Sequence, residues 1–145
     1  TVQTMKRVLT YAEQHPPFKS VYPDEREHTM QYAISSGAIN LAKNISATAI
    51  VAETKSGATA REIACQRPDM TLIAVTDQDR VAQQLTLVYG VKSYVRPVSA
   101  EAAQRLTDWL RDSKVLKSKD VVITVSGRYP GVVGTTDTIK VRDLE

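Results

Sequence analysis

A short polar segment, Thr54-Lys55-Ser56-Gly57-Ala58-Thr59, has the residue types that bind a phosphate group. Its side chains supply hydroxyl groups and one ammonium group, and Gly57 lets the backbone approach a ligand closely. An apolar run precedes this 54–59 loop and a helical pattern follows it, so the loop should end at a helix N-terminus, whose free N–H groups attract anions. Neither a Walker A loop nor a dinucleotide fingerprint is present. The alternative is that Ser56 only caps the helix and Thr59 faces water.

A second candidate is the glycine-rich 127–136 loop, with the sequence GRYPGVVGTT. Arg128 offers a guanidinium fork for an anion, and Tyr129 offers an aromatic ring and a hydroxyl group. If the strands that precede the two loops are neighbours in a sheet, the loops face each other across a cleft. They would then hold a ligand with a phosphate at one end and sugar hydroxyls at the other. The alternative is that this loop only connects two strands.

The remaining chemically capable residues are better explained as structural. Asp77 is placed as a helix N-cap and Asp79 as a first-turn acid, rather than as a metal-binding pair. His15 and His28 have no companion ligands nearby in the sequence, and Cys65 indicates a part-buried structural thiol. No nucleophile with a base and no carboxylate pair in a suitable loop emerges, so the sequence predicts no catalytic centre and no metal site in this chain.

Composition excludes several classes of protein. The 145 residues, 42% hydrophobic and 24% charged, are typical of one soluble domain. A net charge of +3, with the basic segment 111–119 interrupted by Asp112, is too weak for nucleic-acid binding. No run reaches the roughly 18 apolar residues of a membrane span. A single cysteine and the lack of a secretory leader pattern favour the cytoplasm.

Strand and helix patterns alternate around the two loops. Apolar runs predict strands at 47–53, 71–76, 91–96, 121–125 and 138–141. Helical spacing predicts helices over 2–12, from a cap at Asp24 to Ile45, over 58–66, from Asp77 to a left-handed stop at Gly90, and from a cap at Ser99 to Leu110. The second helix has the apolar face Met30, Ala33, Ile34, Gly37, Ala38, Leu41 and Ile45, and Trp109 lies on the apolar stripe of the last.

This alternation predicts an α/β fold. The first four strands are separated by crossover helices, which requires them to be parallel, with helices on both faces of the sheet. The fifth follows a loop too short for a crossover and is expected to be antiparallel at an edge. We therefore predict a three-layer α/β/α sandwich around a mostly parallel five-stranded sheet, with ligands binding beyond the carboxyl ends of the strands.

The loops and strands together resemble the carboxyl-terminal domain of pyruvate kinase. Residues 49–61 are similar to the family pattern A-I-V-x-x-T-x-S-G-x-[ST]-A-R, Arg67-Pro68 to its R-P, and residues 73–76 to its I-A-V-T. Shorter matches extend the resemblance over essentially residues 25–142, and Val2-Gln3-Thr4-Met5 resembles the last helix of the family's barrel domain. We therefore expect residues 1–20 to be the end of a helix that links to a missing barrel, plus a linker, and residues 21–145 to be the α/β domain.

The resemblance implies regulation and assembly rather than catalysis. In that family a barrel domain transfers phosphoryl from phosphoenolpyruvate to ADP with Mg²⁺ and K⁺, while the terminal domain binds allosteric effectors and contacts other subunits of a homotetramer. The barrel's catalytic motifs do not occur in this sequence, so we expect the chain alone to be no enzyme and to hold no cofactor. The effector-phosphate residues correspond to Thr54, Lys55, Ser56, Gly57, Ala58 and Thr59. The effector loop corresponds to Arg128, Tyr129, Gly131, Gly134, Thr135 and Thr136.

Family effectors are sugar phosphates such as fructose 1,6-bisphosphate, or AMP and sugar monophosphates in some bacterial members. The segment between the third and fourth strands is shorter here than in bisphosphate-responsive animal members, in which a Trp and an Arg hold the second phosphate. The glycine-rich loop is about one residue longer than usual. Two other functions stay open: a subunit interface without effector binding, with Met30, Tyr32 and Ala33 packing on a symmetry mate, and a free-standing phosphosugar- or nucleotide-binding protein.

Overall fold

The computed structural model describes residues 1–15, 29–127 and 134–145. Its helices are α1 (Val2–Gln14), α2 (Met30–Asn44), α3 (Ala58–Cys65), α4 (Asp79–Leu85) and α5 (Ala102–Asp112). Its strands are β1 (Ala49–Glu53), β2 (Thr71–Thr76), β3 (Val91–Val95), β4 (Val121–Gly127) and β5 (Thr136–Asp143). Within the described residues these strands form one sheet in the order β3-β2-β1-β4-β5.

Strand β1 lies at the centre of the sheet. It runs parallel to β2, with Ala49 opposite Thr71, and parallel to β4, with Ala49 opposite Val122. Strand β5 lies antiparallel beside β4 at one edge, with a shift of register between Ser126 and Gly127. The predicted mostly parallel sheet with an antiparallel edge strand is therefore confirmed.

Helices pack on both faces of this sheet. Consecutive residues of β1 point to opposite faces, and the first four are fully buried, which explains why the strand reads as an almost continuous apolar run. Ile50 packs on one face with α2, α3 and α4, whereas Val51 packs on the other with α5. The predicted three-layer α/β/α sandwich is confirmed.

Most predicted elements lie where the spacing placed them. Strand β2 has the predicted bounds, and α1 ends before the proline pair at 16–17. Gly90 has the expected left-handed backbone, with φ of 75°, but it is not the stop of α4, because that helix already ends at Leu85 with Thr86 as its C-cap. The start of α2 differs from the prediction. Its N-cap is Thr29, whose hydroxyl oxygen accepts the N–H of Tyr32 at 3.1 Å, while Asp24 lies outside the described residues.

Two predicted helix caps are wrong. Asp77 is not the N-cap of α4, because that helix begins at Asp79 and Gln78 occupies the cap position. Asp79 does lie in the first turn as expected. Ser99 does not cap α5 either, because its hydroxyl oxygen accepts the N–H of Glu101, one residue before the helix, at 3.3 Å.

Three predicted burial states are also wrong. Trp109 is 45% exposed, because the sheet covers only the narrower stripe of α5 formed by Ala103, Leu106 and Leu110. Cys65 is exposed rather than part-buried, because it ends α3 on the side away from the core. Met30 is 70% exposed at the start of α2, because the helix buries a different face, formed by Ser35, Ala38, Ile39 and Ala42.

Helix α1 has no buried residue in the described structure. Its described link to the rest of the fold is a hydrogen bond in which the Tyr89 hydroxyl donates to the Glu13 carboxylate at 2.7 Å. Within the described ranges, no helix combines the length and the apolar character that a membrane crossing requires.

Candidate functional site

A cleft open to solvent lies beyond the carboxyl end of β1. The chain leaves β1 through α3 to reach β2 on one side, and β4 pairs with β1 on the other, so the strand order reverses at β1. Such a reversal separates the loops on either side of it and leaves room for a ligand. The described lining residues are Gln31, Glu53, Thr54, Lys55, Ser56, Ala58, Thr59, Val75, Thr76, Asp77, Arg96, Pro97, Val98, Ser99, Ala102, Gly127, Gly134, Thr135 and Thr136.

The 54–59 loop is held in shape by its own side chains. Thr54 Oγ1 accepts the N–H of Gly57 at 2.9 Å, and Ser56 Oγ accepts the N–H of Ala58 at 3.4 Å. Gly57 has φ of 81°, a left-handed conformation that glycine adopts without strain. It turns the chain from β1 into α3, and the first turn of α3 begins at the cleft.

Thr59 joins the 54–59 loop to the end of the 127–136 loop. Its side chain is 4% exposed, and its Oγ1 lies 2.8 Å from Oγ1 of Thr136. The expectation that the two loops meet across neighbouring strands is therefore confirmed for Thr59 and Thr136. The alternative that Thr59 faces water is wrong.

Lys55 forms an ion pair inside the cleft. Its Nζ lies 3.4 Å from Asp77 Oδ2. The side-chain amide of Gln78 donates to the same carboxylate oxygen at 2.9 Å. Burial acts to raise the pKa of Asp77, but the Gln78 hydrogen bond and the Lys55 charge outweigh it, so the pKa lies below its usual value. This pairing explains why Asp77 is not used as a helix cap.

Glu53 is a cleft residue that the sequence analysis missed. It is the last residue of β1, and its Oε1 accepts the N–H of Ala103 at 2.9 Å. Burial raises the pKa of Glu53, while the Ala103 hydrogen bond and the charge of Lys140 act in the opposite direction. A signal was available, because Glu53 directly precedes Thr54 at the carboxyl end of a strand, the position from which ligand-binding residues come.

Arg96 and Trp109 form a second feature that was missed. Arg96 follows β3 and lines the cleft, and its guanidinium carbon lies 4.9 Å from the centre of the Trp109 ring, within the range of a cation–π contact. The Tyr94 ring meets the same indole edge-on, with 5.9 Å between ring centres. The half-exposed Trp109 is thus in contact with a residue of the cleft wall.

The 127–136 loop is described in part. Gly134, Thr135 and Thr136 line the cleft, and Gly134 has φ of 80°. A side chain at Gly127 would place its Cβ 2.7 Å from the backbone oxygen of Thr135, so the two ends of the loop approach too closely for any other residue. The expectations for Arg128, Tyr129 and Gly131 concern positions outside the described residues.

This arrangement is suited to binding an anion. The first N–H groups of a helix have no partner within the helix and carry its positive dipole end. At α3 they lie beside the hydroxyl groups of Ser56 and Thr59 and the ammonium of Lys55. No group of three or more His, Cys, Asp or Glu side chains in the described ranges is arranged to hold a metal ion, and His28 falls outside those ranges.

Comparisons with known proteins agree on one family. Residues 32–142 match the family described as pyruvate kinase, alpha/beta domain. The chain is 37% identical over 112 residues to pyruvate kinase 2 of Synechocystis sp., which spans 75% of this chain and 19% of that protein. It is 31% identical over 151 residues to pyruvate kinase of Staphylococcus aureus, which spans 97% of this chain and 25% of that protein.

Solved structures give the same result. A crystal structure of Cryptosporidium parvum pyruvate kinase superposes with a TM-score of 0.74 at 27% identity, over 96% of this chain and 26% of that one. A second structure of the enzyme from this organism gives a TM-score of 0.71 at 26% identity, over 83% and 23% of the two chains. The chain therefore spans between about a fifth and a quarter of the length of these relatives.

Proposed function

The chain belongs to the pyruvate kinase family, whose α/β domain it carries, and from that premise we propose that it is a regulatory and assembly domain that binds a phosphorylated effector at residues 54–59. The effector is a small molecule such as a sugar phosphate or AMP. The observation that carries the proposal is the meeting of two loops at one helix N-terminus. There Ser56, Thr59 and Lys55 border a cleft that Gly134 and Thr136 also line.

The proposal gives each part of the site a role. The first-turn N–H groups of α3 and the hydroxyls of Ser56 and Thr59 bind phosphate oxygens, and Lys55 adds a positive charge. Thr54 supports the loop indirectly, because its hydroxyl oxygen already accepts the N–H of Gly57. Arg128 and Thr135 are proposed to close over the ligand from the 127–136 loop.

The catalytic role is proposed to lie elsewhere in the whole enzyme. A barrel domain joined through residues 1–20 would transfer phosphoryl from phosphoenolpyruvate to ADP, using Mg²⁺ and K⁺, as a step of glycolysis in the cytoplasm. The present chain would then need no cofactor and would not catalyse this reaction alone. Its proposed partners are the effector, the barrel domain and the other subunits of a homotetramer, with no nucleic acid and no membrane.

Calorimetry tests the effector site directly. The chain is titrated with fructose 1,6-bisphosphate, AMP, ribose 5-phosphate and glucose 6-phosphate, and the variants Ser56→Ala and Thr59→Ala are compared with wild type. A charge-assisted phosphate contact contributes about 1.5–3 kcal/mol, so each substitution should weaken binding by roughly one to two decades. Ser118→Ala, at an exposed serine outside the cleft, is the matched control. Unchanged affinity in both cleft variants would reject the site.

A second candidate function is a subunit interface without effector binding. Met30 is 70% exposed at the start of α2, and Ala33 beside it is also exposed. Such a surface could pack on a second copy of the chain. A thermal shift separates the two candidates, since an effector at 100 times its dissociation constant stabilises the fold by about 2.7 kcal/mol and a pure interface gains nothing. Met30→Glu should lower the association state only if the interface exists.

A further inference from the structure

The Glu53 carboxylate occupies a second helix N-terminus at the cleft. Helix α5 begins at Ala102, which lines the cleft, and the helix receives no side-chain cap from its own N-cap residue, Glu101. Instead, Glu53 reaches across from the end of β1 and accepts the N–H of Ala103 at 2.9 Å. The two helices that begin at the cleft therefore differ, since the N–H groups of Gly57 and Ala58 at the start of α3 donate to neutral hydroxyl oxygens, whereas α5 already holds an anion.

The Glu53 carboxylate has acceptor sites that this bond does not use. A carboxylate offers about four lone-pair sites on two oxygens. The backbone N–H of Ala103 uses one of them, on Oε1. A hydroxyl group of a ligand can donate to the remaining sites. A phosphate dianion cannot, because it has no proton to donate and carries the same sign of charge.

The charges of the described cleft lining are balanced. Lys55 and Arg96 are its cations, and Glu53 and Asp77 are its carboxylates. Lys55 is paired with Asp77 at 3.4 Å. Arg96 donates to the Val95 carbonyl oxygen at 2.8 Å and lies over the Trp109 ring. One phosphate can be bound by N–H and hydroxyl groups at α3, where Lys55 adds a positive charge, but a second would meet the negative charge of Glu53.

We infer that the cleft selects a sugar monophosphate, with its phosphate at residues 54–59 and its hydroxyls donating to Glu53, and that Glu53 excludes a second phosphate. This inference rests on the proposed function and adds to it the class of effector. Glu53 is then a specificity-determining residue. Its role depends on its charge, whereas its hydrogen bond to Ala103 depends only on an acceptor oxygen.

The two properties of Glu53 can be separated by Glu53→Gln. The amide oxygen still accepts the Ala103 N–H, but the charge is gone. Dissociation constants are measured by calorimetry for matched pairs, glucose 6-phosphate against glucose 1,6-bisphosphate and fructose 6-phosphate against fructose 1,6-bisphosphate. Wild type should prefer the monophosphate by roughly tenfold or more, and the variant should reduce this preference to less than about threefold by binding the bisphosphate more tightly.

Glu101→Gln is the matched control, since it removes an acid from the same helix end but outside the cleft lining. It should keep the wild-type preference. A wild-type chain that binds the bisphosphates as tightly as the monophosphates would overturn the inference, as would a Glu53→Gln variant with the wild-type preference. Failure of the proposed function gives a different result, in which neither these esters, nor AMP, nor inorganic phosphate binds.

Discussion

Thr59 Oγ1 and Thr136 Oγ1 lie 2.8 Å apart, which joins the first turn of α3 to the first residue of β5 across the cleft. The two residues are 77 positions apart in the sequence. They connect the loop that is proposed to bind the phosphate with the loop that is proposed to cover it. Binding at one loop would therefore affect the position of the other.

A double-mutant cycle should detect this bond. Thr59→Val and Thr136→Val each keep the side-chain shape and remove the hydroxyl, so each single variant leaves an unpaired partner. The coupling free energy from urea unfolding should be about 0.5–1.5 kcal/mol. As a control, Thr59→Val combined with Thr71→Val, at an exposed residue of β2, should be additive. Additivity of the Thr59 and Thr136 variants would show that the bond does not contribute.

Gly57→Ala should destabilise the fold more than Gly90→Ala. Both glycines have left-handed backbones, with φ of 81° and 75°, so each alanine costs about 1–2 kcal/mol of conformational strain. At position 57 the new Cβ would also lie 3.3 Å from Leu85 and 3.4 Å from Val81, whereas nothing lies within 4 Å at position 90. Urea unfolding measures the difference. Equal losses would mean that the neighbours of Gly57 move aside freely.

Glu53→Gln should stabilise the chain at pH 7 and not at pH 4. Burial raises the pKa of Glu53 above its ordinary value of 4.5, against the effects of the Ala103 N–H and Lys140. As pH rises above 4.5, the unfolded chain loses this proton before the folded chain does. The free energy of unfolding therefore falls over this pH range. Gln stays neutral and avoids that loss. Thermal unfolding across this range measures the difference between the two melting temperatures.

Asp77→Asn supplies the control of opposite sign. Burial alone would raise the pKa of Asp77, but the Gln78 hydrogen bond and the Lys55 charge bring it below its usual value. Its contribution is therefore present at neutral pH and lost on acidification. The variant should be less stable than wild type at pH 7, and the difference should shrink in acid. The same trend for both variants would contradict the assignment of opposite shifts.

Trp109 should report binding through its fluorescence. It is the one tryptophan in the chain, is 45% exposed, and lies beneath Arg96 of the cleft wall. A ligand that moves the Arg96 guanidinium should change the emission. Arg96→Met should abolish that change while calorimetry still detects binding. A wild-type chain whose emission stays constant at saturating effector would show that Arg96 does not respond to the ligand.

The fold could be predicted from the sequence because burial controls its strands. The apolar run at 71–76 is bounded by Pro68 and by polar residues, and β2 has those bounds. The helix starts are harder to predict from the sequence, since several polar residues near each start could act as the N-cap. Thr29 caps α2, and Asp77 is drawn away from α4 by the Lys55 charge, which lies in another loop.

The candidate site could be predicted where its residues are consecutive, as at 54–59. It could not be predicted where residues meet through the sheet. Glu53 caps α5 because β1 and the start of α5 lie side by side, and no local pattern reveals that contact. The exposure of Trp109 could not be predicted either, because the width of the buried stripe of α5 depends on how the helix packs against the sheet.

The hydrogen bond between Glu53 and Ala103 also links β1 to α5, two elements that are far apart in the sequence. The Ala103 amide hydrogen has its acceptor 50 residues away, so it is protected from solvent only while β1 and α5 are docked. Its rate of exchange with deuterium therefore measures the opening of the sheet face beneath α5. Neighbouring amides deeper in α5 are protected by the helix itself and report helix unwinding instead.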